Sequence, residues 1–256
     1  MKSRYRISVG GTHLDNINDK IWILDIQYPP PEIEKSIDNP AGRDGGIITK
    51  KTRRAATVTV TFGLYIYDTA ERNAVCQEIK TWAAAGGTLK TNDKPGLALY
   101  NAVCDQYPDI ESAKNWTDPL TVVFSAYDFP YWEEMEKTEI TLKGTNTSGT
   151  INIPGNAGDV RVEATVTTQA AISWFELSAG DTKIRVNKSI ANGKTITISY
   201  TRNGIMRIRE GSTSILDKRS AESNDDLLVT SGERNAFRIK ASGRIKVDFS
   251  TRGAWL

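Results

Sequence analysis

The sequence predicts an α+β N-terminal domain followed by an all-β sandwich. Residues 56–67 alternate apolar and polar side chains at every second position, which is the pattern of a β-strand with one buried face. A helical pattern follows over residues 69–84. From Glu139 onward, short alternating segments separated by turns recur without any stretch of helical period, which is typical of a β-sandwich.

The strand predicted at residues 56–67 is the clearest element of the chain. One parity is purely apolar, so we expect it to face a core, while the other parity carries Thr and Tyr and faces partly into solvent. The predicted core positions are Val58, Val60, Phe62, Leu64 and Ile66.

The helix predicted after this strand has recognisable ends. Asp68 is suited to cap it, with Glu71 as the partner of a capping box, and Gly86-Gly87 is suited to end it. We expect its apolar stripe to pack on the strand's apolar face. Cys76, beside the stripe, is interpreted as a small packed residue. The stripe consists of Ala74, Val75, Ile79 and Trp82.

Further strands complete the first domain. Residues 28–32 contain three prolines, which remove ladder donors, so we expect an extended edge or connector and not a central strand. In the strand at residues 20–27 the alternation places Ile21, Ile23 and Asp25 on one face and Trp22, Leu24 and Ile26 on the other. The other strands are predicted at residues 4–9, 88–90, 97–107 and 120–127.

Residues 36–55 are predicted to form a projecting hairpin arm. Turn residues lie at the centre, Asp44-Gly45-Gly46, between extended segments. The segment has too few large apolar residues to form its own core, so we expect it to become stable on a partner. Its second half is basic, with Lys50, Lys51, Arg53 and Arg54.

The second half of the chain is predicted to be a sandwich of short strands. Residues 143–150 are small and polar, which indicates a linker or an exposed loop. Asn192-Gly193 is a type I′ hairpin signal. The predicted domains are residues 1–138 and 139–256, and one strand is expected to carry Val160, Val162, Ala164 and Val166.

Composition excludes several classes of protein. The 256 residues have a formal net charge of +2, so bulk charge argues neither for a nucleic-acid-binding nor for an anionic-membrane-binding protein. Two cysteines make neither a disulfide framework nor a zinc site. No apolar segment follows the basic N-terminal residues, and no run approaches the ~18 apolar residues of a membrane span, so we expect synthesis in a cytosol and no membrane partner.

The sequence predicts no active site. The single histidine, His13, is interpreted as a surface residue, and no phosphate-binding glycine motif is present. The basic residues 50–54 fit a subunit interface as well as nucleic acid, a membrane or plain solubility. Acidic residues are interpreted as solvated, and Trp174 and Phe175 as core rather than a sugar-stacking platform. The acidic groups are Glu133, Glu134 and Glu136, and Asp225-Asp226.

The order of these signals resembles the distal tail protein (Dit) family of long non-contractile-tailed bacteriophages. The ending of the chain is also similar, with Ser231-Gly-Glu-Arg-Asn235, Arg252 and Trp255. The run that carries the resemblance is Gly42-Arg-Asp-Gly45, Val58-Thr-Val-Thr-Phe62, Ala70-Glu-Arg72, Ile79-Lys-Thr-Trp82, Leu89, Asp93-Lys-Pro-Gly96, Trp116, residues 120–124 and Pro130-Tyr-Trp132.

This resemblance implies a non-enzymatic structural protein of the virion without a cofactor. Family members form hexameric rings, single or stacked in pairs, in which a belt hairpin wraps the neighbouring subunit, and they carry a galectin-like second domain. The ring joins the tail tube to the spike or fibre protein, receptor-binding proteins can dock on it, and DNA only passes through. The implied interface residues are Arg43, Asp44, Gly45, Ile47, Ile48, Lys50, Lys51, Arg53 and Arg54.

Two other functions stay open on the sequence alone. A carbohydrate-binding protein would recognise host glycan through aromatic side chains of the sandwich. A sandwich hydrolase would use paired acids such as Glu133 and Glu136.

Overall fold

The computed structural model describes residues 4–39, 44–108, 118–201 and 204–256. The chain divides into two compact units, Met1–Trp132 and Glu133–Leu256. The first combines a curled antiparallel sheet with α1 (Thr69–Ala85), the one α-helix of the described ranges, and the second is built from strands. The fold class is therefore the predicted one, α+β followed by all-β.

The N-terminal unit contains one sheet with the strand order β2-β1-β7-β8-β9-β6-β3, and a separate two-stranded sheet, β4-β5. The strands are β1 (Ile7–Val9), β2 (Thr12–His13), β3 (Ile21–Gln27), β4 (Ile33–Asp38), β5 (Ile47–Arg53), β6 (Ala56–Leu64), β7 (Gly87–Thr91), β8 (Leu97–Gln106) and β9 (Leu120–Ala126), followed by β10 (Trp132–Glu134).

Strand β6 lies between β3 and β9 at the centre of the unit's core. It pairs with β9 in antiparallel register, with Val58 opposite Phe124. The strand ends at Leu64, three residues before the predicted end, yet Ile66 is still buried. All five predicted core positions are at most 1% exposed, which confirms the period-two prediction.

Helix α1 begins at the predicted cap. The Asp68 side chain accepts a hydrogen bond from the Glu71 backbone N–H, with 2.7 Å between the two atoms. The Glu71 carboxylate lies 2.6 Å from Lys20 Nζ, in an ion pair that ties the first turn to the residue before β3. The predicted Asp68 cap therefore forms, and the Glu71 carboxylate pairs with Lys20, a residue outside the helix.

The buried face of α1 differs from the predicted stripe in one position. Ala74 is exposed, whereas Cys76 is fully buried as expected. Trp82 packs edge-on against Phe124 of β9, with 5.5 Å between ring centroids, and its Nε1 donates to the Thr12 carbonyl. The helix thus covers the predicted sheet face, with Trp82 one strand away from β6. Its buried residues are Arg72, Val75, Cys76, Ile79, Trp82 and Ala83.

Strand β3 departs from simple alternation. Ile21, Ile23 and Ile26 are all buried, although Ile26 has the opposite parity to the other two. A β-bulge between Ile23 and Asp25 adds one residue, Leu24, and this extra residue shifts every later side chain to the other face. The predicted grouping of Ile26 with Trp22 and Leu24 is therefore wrong.

The C-terminal unit contains one large sheet with the order β15-β14-β20-β13-β16-β17-β18, in which β11 also pairs with β20, and a small sheet, β12-β19. The strands are β11 (Thr138–Asn152), β12 (Asp159–Arg161), β13 (Glu163–Thr168), β14 (Ile172–Ala179), β15 (Thr182–Ile190), β16 (Thr195–Tyr200), β17 (Met206–Glu210), β18 (Thr213–Ser214), β19 (Leu228–Thr230), β20 (Arg234–Thr251) and β21 (Ala254–Trp255).

Strand β20 makes the two layers of this unit. Its first half pairs with β14 as far as Ala241, and its second half pairs with β13 from Ile245 onward. Phe237 and Phe249 would lie about 40 Å apart in a straight strand, but their ring centroids are 5.1 Å apart. The strand therefore bends sharply, and its two halves face each other across one core.

The predicted linker at residues 143–150 is wrong. These residues belong to β11, which pairs with β20 along both halves, with a bulge between Gly144 and Asn146. Their small polar side chains suit a largely exposed strand, and a composition rule that equates such residues with a loop fails here.

Two strand assignments in this unit also need correction. The predicted strand at residues 160–166 is divided into β12 and β13, although all four apolar side chains are buried. Asn192-Gly193 forms a turn, with φ of +74° at Gly193. However, the turn joins β15 to β16, which pair with β14 and β13 respectively and not with each other. A turn therefore forms, but a type I′ turn needs positive φ at both residues and Asn192 does not have it, so the predicted type I′ hairpin is wrong.

Candidate functional site

The β4–β5 hairpin, called the arm below, is the candidate functional element. Its strands pair antiparallel, from Ile33 opposite Arg53 to Asp38 opposite Ile47, with a bulge between Ser36 and Ile37. In the described part of the chain each strand pairs only with the other. An isolated two-stranded hairpin is at best marginally stable in water.

The arm exposes four isoleucines. Ile33, Ile37, Ile47 and Ile48 are 41%, 58%, 42% and 53% exposed, and Ile37 lies directly opposite Ile48. Their exposed fractions together amount to about two isoleucine side chains. Burial of this surface in an interface would stabilise the interface by roughly 3 to 6 kcal/mol. A surface of this kind fits an element that is buried on assembly.

The base of the arm is fixed by contacts within the chain. Arg54 lies 3.6 Å from Glu32 and 3.3 Å from Glu34, and its backbone N–H donates to the Glu32 carbonyl. The hydrogen bond to Glu34 and the charge of both carboxylates raise the pKa of Arg54. The Arg53 guanidinium lies 5.4 Å from the Tyr131 ring centroid. Arg53 and Arg54 therefore orient the arm.

The other predicted interface residues lie on β5 or in the turn before it. Asp44, Gly45, Ile47, Ile48 and Lys50 are all exposed. Arg43 lies outside the described residues, as do Gly42 and Trp116 of the motif run, and nothing is described of the Lys51 side chain. The arm thus brings the described residues of the predicted set onto one element.

Sequence reasoning missed two of the arm's apolar residues. Ile33 and Ile37 on β4 were not predicted as interface residues, yet Ile37 is the most exposed isoleucine of the arm. The available signal was the alternation of residues 33–38, where Ile recurs at Ile33 and Ile37 in a segment that has no core to bury it.

The predicted acidic groups do not form a paired-acid site. Glu133 is half-buried, and burial raises its pKa to about 7, opposed by the charges of Arg252 and Arg161. Glu136 is exposed, and Asp225 pairs with Arg219 at 3.1 Å. His13 lies on β2, and within the described ranges no group of three or more His, Cys, Asp or Glu residues could hold a metal ion.

The aromatic pair of the sandwich does not form a platform. Phe175 is completely buried in the core, and the adjacent Trp174 points to the other face of β14. The Arg185 guanidinium lies 4.3 Å from the Trp174 ring centroid and covers one face of that ring. A sugar ring therefore has no two-aromatic surface to stack on here.

None of the helices in the described residues is both long enough and apolar enough to cross a bilayer.

The chain is thus a two-unit, mainly β protein whose distinctive surface is a projecting arm. No family model matches the sequence, and no curated protein matches it. Its fold is that of the SPP1 Dit protein (gp 19.1), which is described as a paradigm of the hub adsorption apparatus in phages infecting Gram-positive bacteria. The two chains are 13% identical, with 98% of this chain and 99% of that chain covered at a TM-score of 0.72.

Two structures of the phage P2 baseplate in its activated conformation also match. The structure with Ca is 12% identical at a TM-score of 0.43, and the structure with Sr is 10% identical at a TM-score of 0.47; both cover 97% of each chain. The match to SPP1 Dit confirms, in the fold, the resemblance to Dit proteins that the motif order predicted.

Proposed function

We propose that this chain is a structural hub protein of a phage tail tip. The observation that carries the proposal is the match to SPP1 Dit over 98% of this chain and 99% of that chain, at a TM-score of 0.72. The match includes both units. We infer a non-enzymatic protein that needs no cofactor.

The arm supports a ring of identical subunits. An arm that leaves one subunit and lies on the next makes a head-to-tail contact, and such contacts close into rings when the rotation between subunits allows it. We infer a homohexamer, single or stacked in pairs. The exposed isoleucines of the arm give each contact its apolar centre.

In this proposal residues 1–138 form the ring and residues 139–256 form a galectin-like outer domain, with the belt at residues 36–55. The ring joins the tail tube protein to the tail spike or fibre protein, and receptor-binding proteins dock on the outer domains. The protein is made in the bacterial cytoplasm and ends in the virion, at the baseplate.

The central opening of the ring would let DNA pass without holding it. A formal net charge of +2 supports this, because tight binding to phosphates needs many ordered Lys and Arg side chains.

Deletion of residues 37–52 tests the proposal. The full chain should give ring-shaped particles with a central opening in electron micrographs. The deletion should abolish the rings while the circular dichroism spectrum and the unfolding transition persist, because the arm contributes little to either core. Rings that persist without the arm would show that the arm is not the belt.

A further inference from the structure

One layer of the C-terminal unit carries a strongly basic outward face. The layer consists of β15, β14, the first half of β20 and the second half of β11, and its inward side chains, such as Phe175, Ile184 and Phe237, are buried. Paired residues of an antiparallel sheet share a face, so the register identifies the outward positions. The cations at these positions, called the basic face below, are Lys183, Arg185, Arg234, Arg238 and Lys240.

Little negative charge balances the basic face. Glu176 is the one outward carboxylate of the paired segments, and its Oε1 lies 3.7 Å from Lys240 Nζ. Five cations against one carboxylate leave an excess of four positive charges. The other four cations make no ion pair within the described part of the chain, so their charge is available to a partner.

The opposite layer of the same unit is nearly balanced in charge. Its Lys246 and Asp248 form an ion pair with 2.7 Å between Nζ and Oδ2. The excess of positive charge is therefore a property of one layer and not of the whole unit. The outward charged residues on the paired segments of the opposite layer are Lys143, Arg207, Arg209 and Lys246, and Glu139, Glu163 and Asp248.

Neutral side chains hold two of the arginines in place. Arg238 donates through Nε and one terminal nitrogen to Asn146 Oδ1, at 3.3 and 3.2 Å. Arg234 Nε donates to the Thr150 hydroxyl at 2.9 Å, and its terminal nitrogens make no hydrogen bond within the described residues. A guanidinium presents its N–H donors in a fixed fork that matches phosphate oxygens, so these groups are prepared to bind phosphate.

The Trp174 end of the face offers hydroxyl groups rather than a surface for stacking bases. Trp174 is the one outward aromatic residue of the paired segments, and Arg185 covers one face of its ring. An open cavity of about 530 Å³ lies beside it, lined by residues 171–173, 189–191 and Ser242, which include three serines. Binding of successive nucleic-acid bases relies on several aromatic side chains, and the face does not supply them.

We propose that the basic face binds a flexible polyanion in which polyol or sugar units are joined by phosphodiesters. The cations contact the phosphates, and the hydroxyl and amide side chains between them contact the polyol units. The formal net charge of +2 conceals this surface, because acidic residues elsewhere in the chain offset it. The inference goes beyond the proposed hub function and does not depend on ring assembly, since each copy carries a complete face.

Binding of poly(glycerol phosphate) to the full-length chain, measured by calorimetry over a salt series, tests this assignment. The excess of four positive charges predicts about four phosphate contacts. If each contact contributes a slope of about −0.7 to log affinity against log salt, as for single strands, the affinity should fall roughly 50-fold between about 50 and 200 mM salt.

Replacing two arginines should reduce this salt effect. Arg234→Gln with Arg238→Gln removes two contacts, so the same change in salt should weaken binding only roughly 7-fold. The matched control is Arg207→Gln with Arg209→Gln, which removes the same charge from exposed positions of the opposite layer. The control should keep the affinity and the salt effect of the parent chain. Equal losses in the two variants, or no binding by the parent chain, would overturn the basic face as the site.

Glu176→Gln should have the opposite effect. It removes the one carboxylate of the face and releases Lys240 to contact phosphate, so binding should become a few-fold tighter. A gain in affinity cannot result from a damaged fold, which makes this variant independent of the arginine variants. Weaker or unchanged binding by a folded Glu176→Gln chain would show that the polymer does not lie along this face.

Two other polyanions identify the chemistry that the face recognises. Oligothymidylate and poly-glutamate of similar total charge should both bind more weakly than poly(glycerol phosphate). Oligothymidylate that binds as tightly would assign the face to nucleic acid, and poly-glutamate that binds as tightly would assign it to an acidic protein. Either result would overturn the proposal.

Discussion

Replacing Ile37 and Ile48 together by threonine should weaken assembly and leave the folded chain almost as stable as before. The two side chains lie opposite each other on the arm and are 58% and 53% exposed. Threonine keeps the β-branched shape that strands favour, so the hairpin should persist. The change therefore removes apolar surface that a neighbouring subunit covers in the proposed ring.

The magnitude follows from the exposed fractions. Complete burial of an isoleucine stabilises by about 1.5 to 3 kcal/mol, so covering the exposed half of each contributes about 1 kcal/mol. Loss of both should cost about 2 kcal/mol for each arm contact. That corresponds to a roughly 30-fold rise in the dissociation constant between neighbouring subunits.

Analytical ultracentrifugation over a concentration series measures this rise directly. Ile205→Thr is a matched control, since Ile205 is 63% exposed but lies in the C-terminal unit. It should leave the dissociation constant unchanged. Equal effects of the arm and control variants, or an unchanged constant for the arm variant, would refute the role given to the arm isoleucines.

Three further predictions concern stability. Asp68→Ala removes the cap of α1 and should lower the free energy of unfolding by about 1 kcal/mol in urea denaturation. Gly86→Ala should lower the free energy of unfolding more than Gly211→Ala does. Both glycines have positive φ, but of the two only Gly86 has a backbone atom within reach of an added Cβ, the Ala102 carbonyl oxygen at 2.8 Å. The parent chain should become less stable as pH rises from about 4.5 to about 7, and Glu133→Gln should abolish this pH dependence.

The direction of the pH effect follows from the raised pKa. The folded chain holds the Glu133 proton up to about pH 7, whereas the unfolded chain releases it near pH 4.5. The folded state therefore binds more protons in this interval, and the free energy of unfolding falls as pH increases. Denaturation at pH 4, 6 and 8 measures how the free energy of unfolding changes with pH. If Glu133→Gln leaves this pH dependence unchanged, other titrating groups cause it.

The glycine comparison asks what the surroundings of Gly86 add to the cost of a side chain at positive φ. Gly86 and Gly211 have φ of +57° and +58°, and ψ of −163° places Gly86 outside the left-handed helical region. A Cβ at Gly211 would have nothing within 4 Å. Equal destabilisation by the two alanines would show that the sheet next to Gly86 relaxes without cost.

The sequence was sufficient where a strand alternates without interruption. Strand β6 has a regular pattern, so Val58 and Phe62 could be assigned to the core from parity alone. Strand β3 contains one bulged residue, Leu24, and nothing in its side chain distinguishes it from a regular strand residue. Bulges depend on the partner strand, which a local pattern does not contain.

Long-range strand pairing was the other feature that the sequence could not predict. Residues 143–150 resemble a loop by composition, but fourteen paired positions along β20 hold β11 as a strand. Asn192-Gly193 carries the local chemistry of a hairpin turn, yet the two strands that it connects find other partners. Local propensity determines the turn, and tertiary pairing determines which strands meet.

The candidate site could likewise be predicted only in part from the sequence. The arm could be predicted because its lack of a core is visible in composition, and the turn at Asp44-Gly45 is local. The roles of Arg53 and Arg54 at its base could not, because Tyr131 and Glu32 reach them only in the fold.

Absolute mass in solution, by light scattering behind size exclusion over a range of concentrations, tests the central claim most directly. A hub protein should give the mass of six chains of 28.3 kDa, or of twelve if rings stack in pairs. A mass that stays at one chain at the highest concentration reached would contradict assembly through the arm.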